Sequence, residues 1–114
     1  MKIEMKNNQA PNINDEMIAS IVSLAATGVN GVARISLRIT DEIMDKLYLA
    51  STTKGVKIAR APEGLMIWVY VITEPGVDII KVSKAIQKKV KVAVESMAGF
   101  QVAVVNVRIE GSGK

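Results

Sequence analysis

Five lysines on one predicted helix are the residues of this chain most able to bind a partner. They are Lys81, Lys84, Lys88, Lys89 and Lys91, with no acidic residue between them. On a helical wheel of about 100° per residue, four of them lie nearly opposite an apolar stripe: Lys81, Lys84, Lys88 and Lys91. Clustered ammonium groups attract phosphate, whether in lipid headgroups or in nucleic acid. The four lysines therefore predict contact with an anionic surface, and the alternative is an ordinary solvated helix face.

A second group of residues could stack nucleic-acid bases on a β-sheet. The strand predicted at residues 65–73 alternates, and one of its two faces carries Met66, Trp68, Tyr70 and Ile72. Four cations are predicted to share this face: Arg34, Arg38, Lys57 and Arg108. Several RNA-binding modules stack bases on aromatic rings flanked by cations. We favour the alternative that helix one or a second copy of the chain covers this face, because apolar residues surround the rings.

The chain lacks the residues on which most catalytic and metal-binding sites depend. The chain contains no His and no Cys, so the commonest general base and every thiolate ligand are missing. Asp41 and Asp45 are four residues apart, but they stand among other charges, as on an ordinary polar helix face. The glycines at 28–31 and 111–114 spell parts of nucleic-acid-binding and phosphate-binding loops without the helices that such loops require. We expect a protein that is not an enzyme and that holds no cofactor and no metal.

The elements that must position these residues follow an α+β pattern. Residues 1–12 are predicted to be a flexible lead-in, 13–110 a single domain and 111–114 a frayed tail. Alternation and helical spacing predict, in order, a helix (14–28), a strand (33–40), a short helix (40–48), a loop (51–54), a hairpin (55–60 with 65–73), a long helix (78–98) and a final strand (101–110). The prediction is a mixed four-stranded sheet with two main helices, whose last strand joins through a crossover connection. Both main helices are expected on one sheet face, although helix one could cross to the other.

Six stretches in fixed order carry a family resemblance: DEMIASI at 15–21, NGVA at 30–33, KGVKI at 54–58, PGVDI at 75–79, VESMAGFQV at 94–102 and VNV at 105–107. Together they resemble the alkaline-shock protein family, a group of small bacterial proteins tied to cell-envelope stress. The likeness spans about residues 13–110. It implies no enzymatic activity, no cofactor and a peripheral association with the cytoplasmic face of the membrane through partner proteins. The family defines no catalytic residues.

These observations predict a scaffold or adaptor that forms homo-oligomers and contacts the cytoplasmic membrane face or a membrane protein. A cytoplasmic location is expected because the N-terminal residues are polar, and the longest apolar run, at 65–72, is far shorter than the roughly 20 residues of a membrane-spanning helix. Self-association is predicted through the face that carries Trp68. The alternative is a nucleic-acid-binding or regulatory module that uses Trp68, Tyr70 and the neighbouring arginines.

Overall fold

A computed structural model describes residues 13–36, 51–53 and 55–112 of the chain. This part contains, in order, α1 (Ile13–Thr27), β1 (Val32–Ile35), β2 (Ser51–Thr53), β3 (Val56–Ala61), β4 (Gly64–Thr73), α2 (Ile79–Met97) and β5 (Val102–Ser112). The α+β class, the two main helices and their order among the strands are confirmed. Three predicted features lie outside the described residues: the lead-in at 1–12, the short helix at 40–48 and the last residues of the tail, 113–114.

Strand β4 is the centre of a mixed sheet. On one edge it pairs antiparallel with β3 and, further along, with β1. On the other edge it pairs with β5, and this pairing is parallel, as a crossover through α2 requires. The sheet has five strands, one more than predicted, because β2 pairs with β3 where the sequence indicated a loop. Three residues are too few to show an alternating pattern, so only the hydrogen-bonding edge of β3 makes this segment a strand.

The β3–β4 hairpin forms at the predicted turn. Ala61 and Gly64 are the last paired residues, and Pro62 and Glu63 connect them. Gly64 has a φ of +139°, and a Cβ atom there would approach the carbonyl oxygen of Gln101 to 2.7 Å. Glycine is therefore required at this position both for the backbone conformation and for the close approach of the segment that enters β5.

Helix α2 follows from capping and periodicity. The side chain of Asp78 accepts a hydrogen bond from the Lys81 backbone N–H at 3.2 Å, which satisfies one donor of the first turn. The apolar stripe is buried against the sheet and consists of Val82, Ile86, Val90 and Val94. After the last turn, Gly99 adopts a φ of +78°, so the helix ends at the predicted glycine.

Helices α1 and α2 cover the same face of the sheet, and the main core lies between them and β4. The buried β4 residues of this core are Leu65, Ile67, Val69 and Val71. The opposite face of β4 is also buried within the single chain, around Trp68 and Tyr70. Both faces of the central strand are thus sheltered from water, as its uninterrupted apolar sequence predicts.

Strand β5 extends beyond its predicted end at Glu110. Gly111 pairs with Ile72 and Ser112 pairs with Thr73, so half of the predicted tail belongs to the sheet. The extension exists because β4 continues to Thr73 and offers hydrogen-bond partners that far. Gly111 and Ser112 are small and show no alternation of apolar and polar side chains, so the sequence did not indicate that β5 extends to them.

Candidate functional site

Three lysines of α2 form an exposed cationic surface, which we call the lysine ridge: Lys81, Lys84 and Lys88. They lie on the side of the helix opposite its buried stripe, as predicted. Within residues 13–36, 51–53 and 55–112, no hydrogen bond or ion pair engages any of the three ammonium groups. The ridge therefore presents three free positive charges along about two turns of helix.

Lys91, the fourth predicted member of this surface, has a different role. Its Nζ donates to the carbonyl oxygen of Val102 at 3.1 Å and to Glu95 Oε2 at 3.1 Å. Glu95 in turn accepts a hydrogen bond from the Val102 backbone N–H at 3.0 Å. Lys91 is thus partly committed to binding the start of β5, and the ridge proper ends at Lys88.

The pKa of Glu95 is lowered by these contacts, first by the hydrogen bond from the Val102 backbone and then by Lys91. One turn earlier on the helix, Gln87 Nε2 donates to the carbonyl oxygen of Val105 at 3.1 Å. Together, Gln87, Lys91 and Glu95 bind the outer edge of β5 through side chains four residues apart. Sequence analysis missed this group, although the four-residue spacing of polar side chains was a signal for it.

Lys89 is set apart from the ridge by its position next to α1. Its Nζ lies 3.4 Å from where a Cβ atom on Gly28 would be, beside the last carbonyl groups of α1. Helix α1 has no basic residue in its own last turn. A cation near the C-terminus of a helix is favourable, so the position of Lys89 on the neighbouring helix is electrostatically suited to the end of α1.

The second candidate surface is the sheet face that carries the aromatic rings. The strand register places Lys57 opposite Trp68, Arg108 opposite Tyr70 and Arg34 opposite Ile72. Residues paired across strands share a face, so the predicted grouping of cations and rings is present. Arg38 lies outside the described residues.

These rings are not accessible to a ligand. Trp68 is 3% exposed, Tyr70 is 1% exposed and Lys57 is fully buried, all within one chain. The Lys57 ammonium lies 5.8 Å from the centroid of the Tyr70 ring, within the range of a cation–π contact. Stacking a base requires an exposed ring face, so this structure differs from the predicted base platform. It also shelters the rings without a second copy of the chain.

The remainder of this face is a partly exposed rim. Met66 and Ile72 are half-buried, and Arg34 and Arg108 are exposed. The sequence places the right residues on the face, but burial turns its centre into a small second core.

A groove of about 440 Å³ lies between the segment after α1 and the first half of α2. It is lined by Val29, Asn30, Asp78, Lys81, Val82 and Ala85. Asp78 already caps α2, and Lys81 is the other charged residue among the described lining residues. The groove can accommodate a small apolar group, but this described part of its lining contains no nucleophile paired with a base.

Among the described residues, no three acidic side chains come together in a group that could hold a metal ion. Neither described helix has the combination of length and apolar sequence that crossing a bilayer requires.

Comparison with known proteins identifies related sequences. The profile of the alkaline-shock protein 23 family, described as having a cell envelope-related function, matches residues 4–112. An uncharacterized protein of Streptococcus pyogenes, Spy1614, is 33% identical over 100 residues, which cover 86% of this chain and 83% of that protein. The uncharacterized Bacillus subtilis protein YloU is 28% identical over 114 residues, covering 97% of this chain and 95% of that protein. A second uncharacterized B. subtilis protein, YqhY, is 29% identical over 99 residues, covering 87% of this chain and 73% of that protein.

Solved structures show a related fold at low sequence identity. Variants of MamM CTD superpose with a TM-score of 0.50 at 14% identity, over 84% of this chain and 95% of theirs. At this identity the similarity extends to the fold alone.

Proposed function

This chain belongs to the alkaline-shock protein family, and on that premise we propose that it is a non-catalytic, self-associating scaffold or adaptor of the cell envelope. In this proposal the protein is cytoplasmic and binds the inner face of the membrane through the lysine ridge. The family is described by a cell envelope-related function. Phosphate groups of anionic lipids are the partner whose chemistry matches a row of exposed ammonium groups.

The observation that carries the proposal is the free charge of Lys81, Lys84 and Lys88. All three are exposed on one side of α2, and none of their ammonium groups is used by the described fold. A lysine near an anionic bilayer contributes about 1 kcal/mol, so three of them change the affinity by roughly 100-fold. Because this contribution is electrostatic and comes from exposed charges, it should weaken as the salt concentration rises.

Vesicle sedimentation tests this proposal directly. The full chain is mixed with vesicles of phosphatidylcholine alone or with a third of phosphatidylglycerol, at low and at high salt. We expect binding to the anionic vesicles at low salt that weakens as salt rises, and, because the triple variant K81E/K84E/K88E reverses the three charges, a loss of more than about 100-fold in its affinity.

The matched control is K81R/K84R/K88R, which keeps the charge and should keep the binding. Since all six substitutions are at exposed positions, both variants should unfold at the same denaturant concentration as the original protein. Equal binding of the Glu variant and the original protein would contradict the proposed role of the ridge.

A further inference from the structure

We propose that two copies of the chain pair edge to edge through the second half of β5, antiparallel, with Val107 of one copy opposite Ile109 of the other. The inference rests on the proposed function only in that a self-associating scaffold needs a surface for its own copies. It assigns that surface to a strand edge and not to the aromatic face, whose centre is already buried.

The first half of the β5 edge is closed by side chains of α2. Val102 uses both its N–H and its carbonyl oxygen, with Glu95 and Lys91 respectively, and the Val105 carbonyl accepts from Gln87. Covering an edge strand in this way prevents it from pairing with another chain. The covering stops at Val105, although the strand continues to Ser112.

The second half of the edge is not covered by any segment among residues 13–36, 51–53 and 55–112. The register pairs Ile67 with Val105, Val69 with Val107 and Val71 with Ile109. Since Val105 turns its carbonyl oxygen away from β4 towards Gln87, alternation along the strand turns Val107 and Ile109 outward as well. No contact within the described chain engages the outward N–H and carbonyl groups of Val107 and Ile109. Four strong hydrogen-bonding groups are thus available on one short segment.

These four groups are complementary to themselves under a two-fold rotation. When Val107 of one strand is opposite Ile109 of the other, each residue exchanges both of its hydrogen bonds with its partner, as in an ordinary antiparallel pair. A two-fold axis midway between the two Arg108 residues then satisfies these four groups in both copies. A closed, symmetric contact of this kind is how most homodimers are built.

The side chains around the axis favour a second copy of the same chain. Val107 and Ile109 are partly exposed on the helix-covered side, so the pairing would bury apolar surface there. On the other side, Arg108 and Glu110 are both exposed. Two copies bring two arginines and two glutamates together, and the pairing places each Arg108 diagonal to the Glu110 of the partner strand. The four charges sum to zero, which offsets the repulsion between the two central arginines.

The test combines molecular mass with amide exchange of the unmodified protein. Sedimentation equilibrium should show the 12.3 kDa chain doubling in mass as concentration rises. Over the same range, the amide protons of Val107 and Ile109 should change from fast to slow exchange. The amides of Asn106 and Arg108 face β4 and should be slow throughout, which makes them internal controls.

A charge variant tests the register. E110R gives the cluster four positive charges and should weaken dimerisation by about 10-fold or more. The double variant R108E/E110R restores the balance of charge and should restore the dimer. E63R makes the same charge change in the β3–β4 turn, away from residues 107–109, and should leave dimerisation unchanged.

The outcomes separate this inference from the proposed function. A dimer whose Val107 and Ile109 amides stay fast-exchanging would overturn the inference and leave self-association standing. A chain that remains monomeric at every concentration would overturn both the inference and the self-associating part of the scaffold. Vesicle binding tests the lysine ridge, which E110R does not alter. A failure to bind anionic vesicles would therefore count against the membrane role alone.

Discussion

The lysine ridge and the aromatic sheet face are both clusters of cations, yet they differ in almost every physical respect. The ridge is exposed and its charges have no partner in the described chain. The aromatic face buries Lys57 against Tyr70 and hides Trp68 almost entirely. Charged groups that are exposed and that the described fold does not use are available for binding, whereas the buried Lys57 is not. The same residue types therefore predict a ligand site in one place and a core in the other.

Trp68→Ala should reduce the stability of the fold more than any other substitution considered below. It tests directly whether the aromatic sheet face is a core. Removing a fully packed indole leaves a cavity, and we expect the free energy of unfolding to fall by about 3–5 kcal/mol. Denaturant unfolding measures the loss, with Trp68→Phe as the milder control. A variant of unchanged stability would mean that this face is not a core.

Arg60→Ala tests a charge that belongs neither to the lysine ridge nor to the aromatic sheet face. Arg60 Nη2 donates to Asp15 Oδ1 at 2.8 Å, and it joins the hairpin to the first turn of α1. The Asp15 side chain is only 4% exposed, so truncation of Arg60 should destabilise the fold by about 1.5–3 kcal/mol, as for a hydrogen bond to a charged group. Arg60→Lys keeps the charge but not the guanidinium geometry. Its thermal unfolding midpoint should lie between those of the original protein and Arg60→Ala. A loss as small as that of a ridge lysine would contradict the role of this pair.

Glu95→Gln should have a smaller, pH-dependent effect. The pKa of Glu95 is lowered in the folded state by the Val102 N–H and by Lys91, so the charged form stabilises the fold. This contribution is fully present above the ordinary value of 4.5 and is lost as the pH falls through the lower, folded value. Stability curves of the variant and the original protein should therefore converge in acid. Curves that stay parallel down to pH 3 would show that the charge of Glu95 contributes nothing to stability.

Single substitutions on the ridge should change stability least. Lys84→Ala or Lys88→Ala should alter the free energy of unfolding by less than about 0.5 kcal/mol, because each side chain is exposed and makes no contact with a described charged group. The same variants should weaken vesicle binding measurably. Lys91→Ala is the informative comparison: it should cost more stability than either, because it breaks two hydrogen bonds.

Local patterns predicted most of the fold. Apolar residues at helical spacing between Asp78 and Gly99, among them Val82, Ile86 and Val90, predict the bounds of α2 to within one residue. Pro62 lies in the predicted turn of the hairpin. The short strand β2 was missed because its pairing partner, and not its own three residues, makes it a strand. The end of β5 was missed for the same reason.

The candidate sites divide in a similar way. Sequence spacing placed the lysines on one side of α2 and gathered Trp68, Tyr70 and Arg108 on one sheet face, and both groupings are present. It did not reveal that Lys91 binds Val102, since that contact joins a helix to a strand that only the completed sheet brings alongside it.

What the sequence alone determines here is which residues share a helix side or a strand face, because periodicity is a local property of the chain. What the tertiary structure decides is which of those faces meet water. Tyr70 and Lys81 are equally plausible binding residues in the sequence, but one is enclosed by its own chain and the other is not. The apolar run of β4 predicts that both of its faces are buried, but which segments cover each face depends on parts of the chain that are distant in sequence and meet only in the fold.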